Sequence, residues 1–583
     1  MAGIGGWVGA PARASAELLV GSSEPAVWRG EGASLAWAAR RTCTRGGLGL
    51  ASDDTYVLAF DGVLTARAAL VVAAERQLGH AVPAGDAALL LTLWRALGEA
   101  ALDRLEGTFA LAVYHRARRE LTLARDRLGG ATLAWGRAGE ARVFGSDTAQ
   151  VAAALEAPRA PTHWLDVLLL GHAPPPATPY RDVWSVEPGH LVRFDAAGTP
   201  RVVRYFAPSF MARTDAARQL STRLVEIVEA HVAEAPSAVV LLDGGVGGAA
   251  LAHAAGSRWD SCSVVLSGED PSRDPGVRQA RALGTRHHVL TLAPDALDVG
   301  ALVRAHGGPF ATQAPLAAAR LVASSLLGEA PLILGTGAST LAGAPPSVVA
   351  ATTEATLPPR VGAWVRRGSE LVADVTLSPL RPWLESVAEG VRAAERPLRQ
   401  RVLGAEGVLP PELLAEALRP ELRPSLFGRT AWSDRALTEA STDTVLGRAL
   451  ARRLRGRVAE ELTPAYEHAL RRGGATVLWP YFDARWVERA TGVLAEQRPA
   501  ALAALVPAAV PCVADAQEAQ LARWMSGPLE PAWRTAVLAE RSPLTEVLDV
   551  SKLRSSLFAA WNPARGRQAL ALWTLAAWLA PRP

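Results

Sequence analysis

Few side chains in this sequence could build chemistry. The cysteines, Cys43, Cys262 and Cys512, are three in number and far apart. That pattern supports neither a disulfide framework nor a zinc cluster, and each is expected to be a small buried hydrophobe. The single lysine, Lys552, stands outside every motif and reads as a surface cation. What remains is a set of carboxylates beside glycine turns. Asp61-Gly62-Val63 closes the apolar run Tyr56-Val57-Leu58-Ala59-Phe60. Asp86 follows Gly85 at the head of an apolar helical stretch, a usual position for a helix cap. Asp243-Gly244-Gly245-Val246-Gly247-Gly248 follows Ala238-Val239-Val240-Leu241-Leu242, and Gly335-Thr336-Gly337-Ala338-Ser339-Thr340 follows Pro331-Leu332-Ile333-Leu334.

These residues need a framework, and the hydrophobic pattern supplies two kinds. Over the first 150 positions short strands alternate with turn signals: 56–60, then 109–114, then 121–124 after the polar turn Arg116-Ala117-Arg118-Arg119. A helix is predicted over 84–97. This is an α+β region of stacked antiparallel sheets. Pro- and Ala-rich stretches at 157–162 and 172–176 mark a connector. Beyond 212 a helix to Glu234 leads into 238–242, a continuous apolar run bounded by glycine, which reads as a buried parallel strand feeding a turn and a helix. Runs at 263–266 and 331–334 repeat it, which implies a doubly wound α/β sheet. From about 376 onward the sequence is mostly amphipathic helix, and 344–359 reads as a surface loop. The expected division is 1–155, a connector over 156–211, and 212–583.

Composition bounds the function. A chain of 583 residues is long enough for two or more domains, each with its own core. With 49% hydrophobic and 20% charged residues it has the make-up of an ordinary soluble protein. No uncharged apolar run of about 18 residues reads as a membrane span, and no targeting segment opens the chain, so a cytoplasmic location is expected. Sixty-one basic residues against 57 acidic ones leave a net charge of only +4, with no basic stripe interleaved with aromatics, so neither nucleic acid nor membrane is an expected partner.

Several motifs, in order, resemble the asparagine synthetase (glutamine-hydrolysing) family and its β-lactam synthetase and lasso-peptide cyclase branches. The opening Met1-Ala2-Gly3-Ile4-Gly5-Gly6-Trp7 is similar to Met-Cys-Gly-Ile-x-Gly. Arg104-Leu105-Glu106-Gly107-Thr108-Phe109-Ala110 resembles Arg-Leu-Asn-Gly-Met-Phe-Ala, and Ala124-Arg125-Asp126-Arg127-Leu128-Gly129 is identical to the family's version. Val186-x-Pro188-Gly189-His190, Arg204-Tyr205-Phe206, Trp479-Pro480-Tyr481-Phe482-Asp483-x-Arg485 and Trp524-Met525-Ser526-Gly527-Pro528-Leu529 follow in register. The resemblance implies a class II glutamine amidotransferase domain followed by an ATP-pyrophosphatase-type synthetase domain with a helical C-terminal part. In that frame Arg125 and Asp126 are expected to pair within the first domain, and Pro480 and Asp483 to shape the start of a helix.

The same resemblance implies that the chemical positions have changed. The family's N-terminal cysteine nucleophile is Ala2, which has no nucleophilic atom. Its Asn-Gly-Glu is Asp61-Gly62-Val63: an ionised Asp61 cannot donate to an oxyanion, and Val63 removes a carboxylate. Gly62 and Asp86 are all that remains of the substrate-binding set. The pyrophosphate loop Ser-Gly-Gly-x-Asp-Ser, after Leu242, becomes Asp243, Gly244, Gly245, Val246, Gly247 and Gly248. A carboxylate about 4 Å from a phosphate charge costs about 4 kcal/mol at a surface-like dielectric, or about a thousandfold in affinity. The Mg²⁺-binding Asp is Gly247, with no carboxylate nearby to replace it. The second nucleotide motif, Ser-Gly-Glu-Gly-Ala-Asp-Glu, keeps Gly335 but carries Thr336, Ser339 and Thr340 where its acids stood. Asp-Glu-Pro-Phe becomes Gly307-Gly308-Pro309-Phe310, Glu-Val-Arg becomes Thr476-Val477-Leu478, and no basic residue lies between Arg498 and Arg523, where the family places a lysine.

The expected function is a non-catalytic, asparagine-synthetase-like scaffold. It would pair with itself or with an active homologue, or hold a peptide or small molecule, with no metal and no cofactor. The alternative is an ATP-dependent amide-bond-forming ligase, asparagine synthase-like or a peptide-tailoring cyclase, with unorthodox site residues; only then would Mg²⁺ and ATP be needed. A third possibility is a sensor that binds an amino acid through Asp86.

Overall fold

The computed structural model describes residues 3–9, 16–21, 24–30, 32–40, 49–160, 162–352, 396–442, 444–557 and 564–580. Ala2 and Cys43 lie outside the described residues, as do positions 353–359 of the expected 344–359 loop.

The strands of the first half are β1 (Gly3–Val8), β2 (Ala26–Gly30), β3 (Ala33–Ala38), β4 (Leu50–Ser52), β5 (Tyr56–Leu64), β6 (Gly107–His115), β7 (Glu120–Arg125), β8 (Ala134–Ala138), β9 (Ala141–Gly145), β10 (Val183–Ser185), β11 (His190–Phe194) and β12 (Pro200–Arg204). They form two six-stranded antiparallel sheets, ordered β10-β8-β9-β1-β3-β2 and β12-β11-β7-β6-β5-β4. Ile4, Leu35 and Phe144 of one sheet meet Val57, Ala112 and Leu123 of the other in a shared core. The apolar runs read at 56–60 and 109–114 are strands buried on both faces, alternate residues turned to this core and the others to the helix Asp86–Leu97. Arg116 to Arg119 form the β6–β7 turn, with Arg119 at φ 54°. Within the stretch read as a connector, β10 pairs with β8 and β11 with β7. Its Pro-rich segments are loops: 157–160 follows the helix Thr148–Ala154 and precedes the helix Trp164–Leu170, and 172–176 leads from that second helix toward β10.

The second half holds β13 (Val239–Leu241), β14 (Asp260–Leu266), β15 (His287–Leu292), β16 (Leu332–Ile333) and β17 (Val477–Leu478), paired parallel in the order β15-β14-β13-β16-β17. β13 is buried along its whole length, as expected of a central parallel strand covered on both faces. The chain leaves β13 toward β14 on one side and builds β16 on the other. The sheet's order reverses there, and the turns after β13 and β16 open into a common crevice.

The remainder of the described chain is mostly helix. Part of the expected 344–359 loop is the helix Pro346–Thr352, started by the Pro345-Pro346 pair; proline fits a helix's first turn, where its missing N–H costs nothing. Val445–Arg453, Leu454–Leu462 and Thr463–Arg472 are contiguous, and the middle nine residues are wound as a π-helix. This 445–472 helix runs past both halves of the molecule. Asp483 caps the helix Ala484–Thr491 by accepting from the Arg485 amide at 2.9 Å, with Pro480 opening the turn before it. No helix of the described residues is long and apolar enough to cross a membrane.

Candidate functional site

The first candidate site lies where β1, β5 and the end of β9 meet. Asp61, on β5, is 3% exposed. Its carboxylate accepts Arg40 Nε and Nη2 at 3.1 Å each and Ser146 Oγ at 3.1 Å. Arg471 Nη2 lies 3.3 Å from the same carboxylate. Glu467 Oε1 closes the group, accepting from Arg40 Nη2 at 2.7 Å and Arg471 Nη2 at 2.7 Å. Two guanidinium groups and two carboxylates thus share one buried, charge-balanced cluster. Burial opposes every charge in it, yet Arg40 and Arg471 hold the Asp61 and Glu467 carboxyls below the ordinary range. The start of β1 abuts it: the Ile4 amide donates to Ser146 Oγ at 3.1 Å, and a Cβ on Gly3 would stand 3.4 Å from Asp61 Oδ2. Arg40, Glu467 and Arg471 were not singled out in the sequence; only the i, i+4 spacing of Glu467 and Arg471 hinted at a pair.

The neighbouring positions take no part in this cluster. Gly62 lies where a Cβ would come within 2.1 Å of the Thr108 carbonyl oxygen, so β5 and β6 meet there backbone to backbone. Val63 faces a pocket of only about 10 Å³ beside Trp479 and Phe482. Asp86 is not a helix cap: Gly85 takes that position, and Asp86 begins the helix itself. Its Oδ1 accepts Arg67 Nε at 2.6 Å. Burial nevertheless raises the Asp86 carboxyl, against the pull of Arg67.

The second site is the crevice between β13 and β16, about 320 Å³ in volume. Leu242 is buried at the end of the β13 segment. Both oxygens of Asp243 are engaged: Oδ1 accepts the Gly245 amide at 2.9 Å and Oδ2 accepts Gln517 Nε2 at 2.9 Å. Gly244 needs its glycine freedom, with φ 93°. The two glycine turns touch directly. A Cβ on Gly247 would lie 2.3 Å from the Gly335 carbonyl oxygen, one on Gly335 would lie 2.2 Å from the Gly248 amide nitrogen, and one on Gly248 would lie 2.5 Å from the Leu241 carbonyl oxygen. Tyr481, buried, donates to the Gly247 carbonyl at 2.9 Å and fixes the turn from beneath. Thr336 and Ser339 line the crevice with neutral groups, while Thr340 Oγ1 accepts from Arg453 Nε at 3.1 Å. Arg453 and Arg457, also on the wall, are paired with Glu406 and Glu518. Although burial would raise it, Arg457 and Arg567 hold Glu518 at about 2.

Two expectations about other residues are corrected. Arg125 does not pair with Asp126. It leaves the first half of the chain to bond Glu460 Oε1 at 2.9 Å, while Asp126 gathers the amides of Leu128, Gly129, Gly130 and Ala131 at 2.8–3.1 Å. Consecutive residues at a strand end point to opposite sides. Cys262 is buried as expected, but Cys512 is exposed, with its sulfur 3.4 Å from Gln279 Nε2. Lys552 is exposed, and its Nζ donates to the Glu416 carbonyl. Among the described residues no group of three or more His, Cys, Asp or Glu side chains could hold a metal ion.

Residues 1–206 match the glutamine amidotransferase domain. Proteins described as putative asparagine synthetase [glutamine-hydrolyzing] from Mycobacterium bovis and Mycobacterium tuberculosis are 29% identical to the chain over 271 residues, a span covering 42% of this chain and 40% of theirs. Among solved structures, a glutamine phosphoribosylpyrophosphate amidotransferase from B. subtilis aligns at 16% identity over 50% of this chain and 81% of its own, with a TM-score of 0.27. Residues 1–206 therefore carry a glutamine amidotransferase domain, and over less than half of its length the chain is homologous to proteins described as putative asparagine synthetase [glutamine-hydrolyzing].

Proposed function

We propose that this chain is a non-catalytic member of its family, a scaffold that partners an active asparagine-synthetase-like homologue or a second copy of itself. The observation that carries the reading is the contact between the two glycine turns. With a Cβ at 247 only 2.3 Å from the Gly335 carbonyl oxygen, the backbone has no room for the metal-binding carboxylate the resemblance expects there. Asp243 offers a negative charge whose hydrogen-bonding oxygens are already engaged. Such a donor set does not fit a Mg²⁺–pyrophosphate group, which needs free carboxylate oxygens for the metal and donors for the phosphates. In the first half, Asp61 lies in an ion cluster, and an acceptor-only carboxylate stands where the family's oxyanion donor would be.

Pure full-length protein tests the reading. No glutamine hydrolysis and no ATP–pyrophosphate exchange are expected; turnover in either assay overturns it. The amide-ligase reading keeps one observation in its favour, the crevice of about 320 Å³ with Arg453 and Arg457 on its wall. It requires Mg·ATP to bind there.

A further inference from the structure

The crevice of about 320 Å³ between the two glycine turns is bounded by four segments, each in contact with the next. The turns meet at Gly247 and Gly335, where a Cβ on Gly247 would lie 2.3 Å from the Gly335 carbonyl oxygen. On the second turn, Thr340 Oγ1 accepts from Arg453 Nε at 3.1 Å, and Arg457 of the same helix pairs with Glu518. The 513–518 segment then returns to the first turn. The Val513 amide donates to the Gly244 carbonyl and Gln517 Nε2 donates to Asp243 Oδ2, both at 2.9 Å. Polar side chains on these segments therefore border one space.

Three of them have unused hydrogen-bonding capacity. Asp515 stands at the N-cap position of the helix Ala516–Met525, yet its carboxylate caps none of that helix's amides, and its backbone is left-handed at φ 48°. Among the described residues it has no hydrogen-bond or ion-pair partner for that carboxylate. Thr336, only 9% exposed, and Ser339 likewise have hydroxyls without a partner among the described residues. These oxygens are open to the crevice and are not among the unpartnered polar atoms sealed inside the protein. A hydroxyl so deeply placed, yet open, is completed only by a molecule that enters the crevice.

Charge restricts what that molecule is. The wall carries three carboxylates, Asp243, Asp515 and Glu518, against two guanidiniums, Arg453 and Arg457. Both guanidiniums are already paired, Arg453 with Glu406 and Arg457 with Glu518. Burial raises the Asp515 carboxyl, and the Glu518 charge pushes it the same way, against Arg453 and Arg457. The first turn of the helix Val246–Ala255 would attract an anion, but Asp243 already accepts from the Gly245 amide there. A cation beside Asp515 is therefore favoured and a phosphate repelled. Leu334, Pro346, Val458 and Leu502 make much of the remaining wall apolar.

Resting on the reading that this crevice takes no Mg·ATP, we propose that it binds a small organic cation, a protonated primary amine whose apolar body carries a hydroxyl or amide. The ammonium donates to the Asp515 carboxylate, the body lies against the apolar wall, and the Thr336 and Ser339 hydroxyls serve the neutral polar group.

The test is calorimetric titration of the full-length chain at pH 7.5 and constant ionic strength with three probes of one shape: tyramine, the neutral alcohol tyrosol and the anion 4-hydroxyphenylacetate. Tyramine is expected to bind saturably with a Kd of about 0.5 mM, within reach of so few atoms, and the other two at least about tenfold more weakly. Asp515→Asn should weaken tyramine about tenfold and Thr336→Val about threefold, the sizes of a charged and a neutral hydrogen bond lost. Asparagine tolerates the left-handed backbone at 515, so that variant should keep its urea midpoint; if it unfolds, the three probes still decide. No saturable heat with tyramine overturns the cation site, as does equal affinity for tyrosol or 4-hydroxyphenylacetate, or undiminished tyramine binding by folded Asp515→Asn. Displacement of bound tyramine by Mg·ATP would place the amine in the crevice and overturn the non-catalytic reading instead.

Discussion

Asp61 holds the amidotransferase half against the 445–472 helix through Arg40, Arg471 and Glu467. Breaking one member of such a buried group leaves uncompensated charge, which typically costs 3–5 kcal/mol, whereas the intact group contributes little net stability. Asp61→Asn, which would supply the donor the family's motif carries, is expected to lower the unfolding free energy by about 2–3 kcal/mol in urea denaturation, because the amide keeps part of the hydrogen bonding. It should produce no glutamine hydrolysis. Gly247→Asp would return a metal-binding side chain to the loop, but its Cβ would press on the Gly335 carbonyl. We expect a loss of about 1–3 kcal/mol from overpacking and no gain of Mg·ATP binding, read by the same denaturation and by calorimetry. The sequence made Asp61 and Gly247 visible as altered positions. It could not show what they touch, since Arg40 and Glu467 lie 427 positions apart and the Gly247–Gly335 contact joins two separate turns.

The 445–472 helix links the sites. Its Arg453 and Arg457 line the glycine-turn crevice, Glu460, Glu461 and His468 line a separate cavity of about 90 Å³, and Glu467 and Arg471 complete the Asp61 cluster. The π-wound segment Leu454–Leu462 shifts the faces presented before and after it, so one helix can serve walls on different sides. If the helix couples the halves through its charges, a double-mutant cycle of Arg40→Met and Glu467→Gln should give a coupling energy of about 2 kcal/mol in unfolding experiments; additive effects would separate the two halves energetically. Amphipathic spacing identified this region as helical, but nothing in the spacing of its apolar residues marks a π segment. The parallel strands were legible for the opposite reason: an apolar run buried on both faces ending in glycine is a local signature. The strands β10 to β12 were hidden by their prolines and by their distance from β7 and β8, their partners in the sheets.

At the scale of the whole molecule, buried titratable groups set the acid response. Burial lowers His163, His172 and His306 to about 3 and His468 to about 4, below the value of about 6.5 for an unfolded histidine. A depressed folded value contributes stability that is present above about pH 6.5 and is lost as pH falls, by at most about 1.4 kcal/mol per pH unit for each histidine. Asp61 and Glu467, held low by Arg40 and Arg471 against their burial, add a second loss below about pH 4.5. The urea midpoint should therefore fall from pH 6.5 to 5 and then drop more steeply. A flat midpoint across pH 6.5 to 5 would mean that these histidines are protonated in the folded state. The central claim concerns the crevice where the sheet order reverses, because the proposed non-catalytic role turns on nucleotide failing to bind there. The most direct measurement is calorimetric titration of the full-length protein with Mg·ATP: no binding heat up to millimolar nucleotide is the predicted result, and saturable binding at micromolar affinity would contradict it.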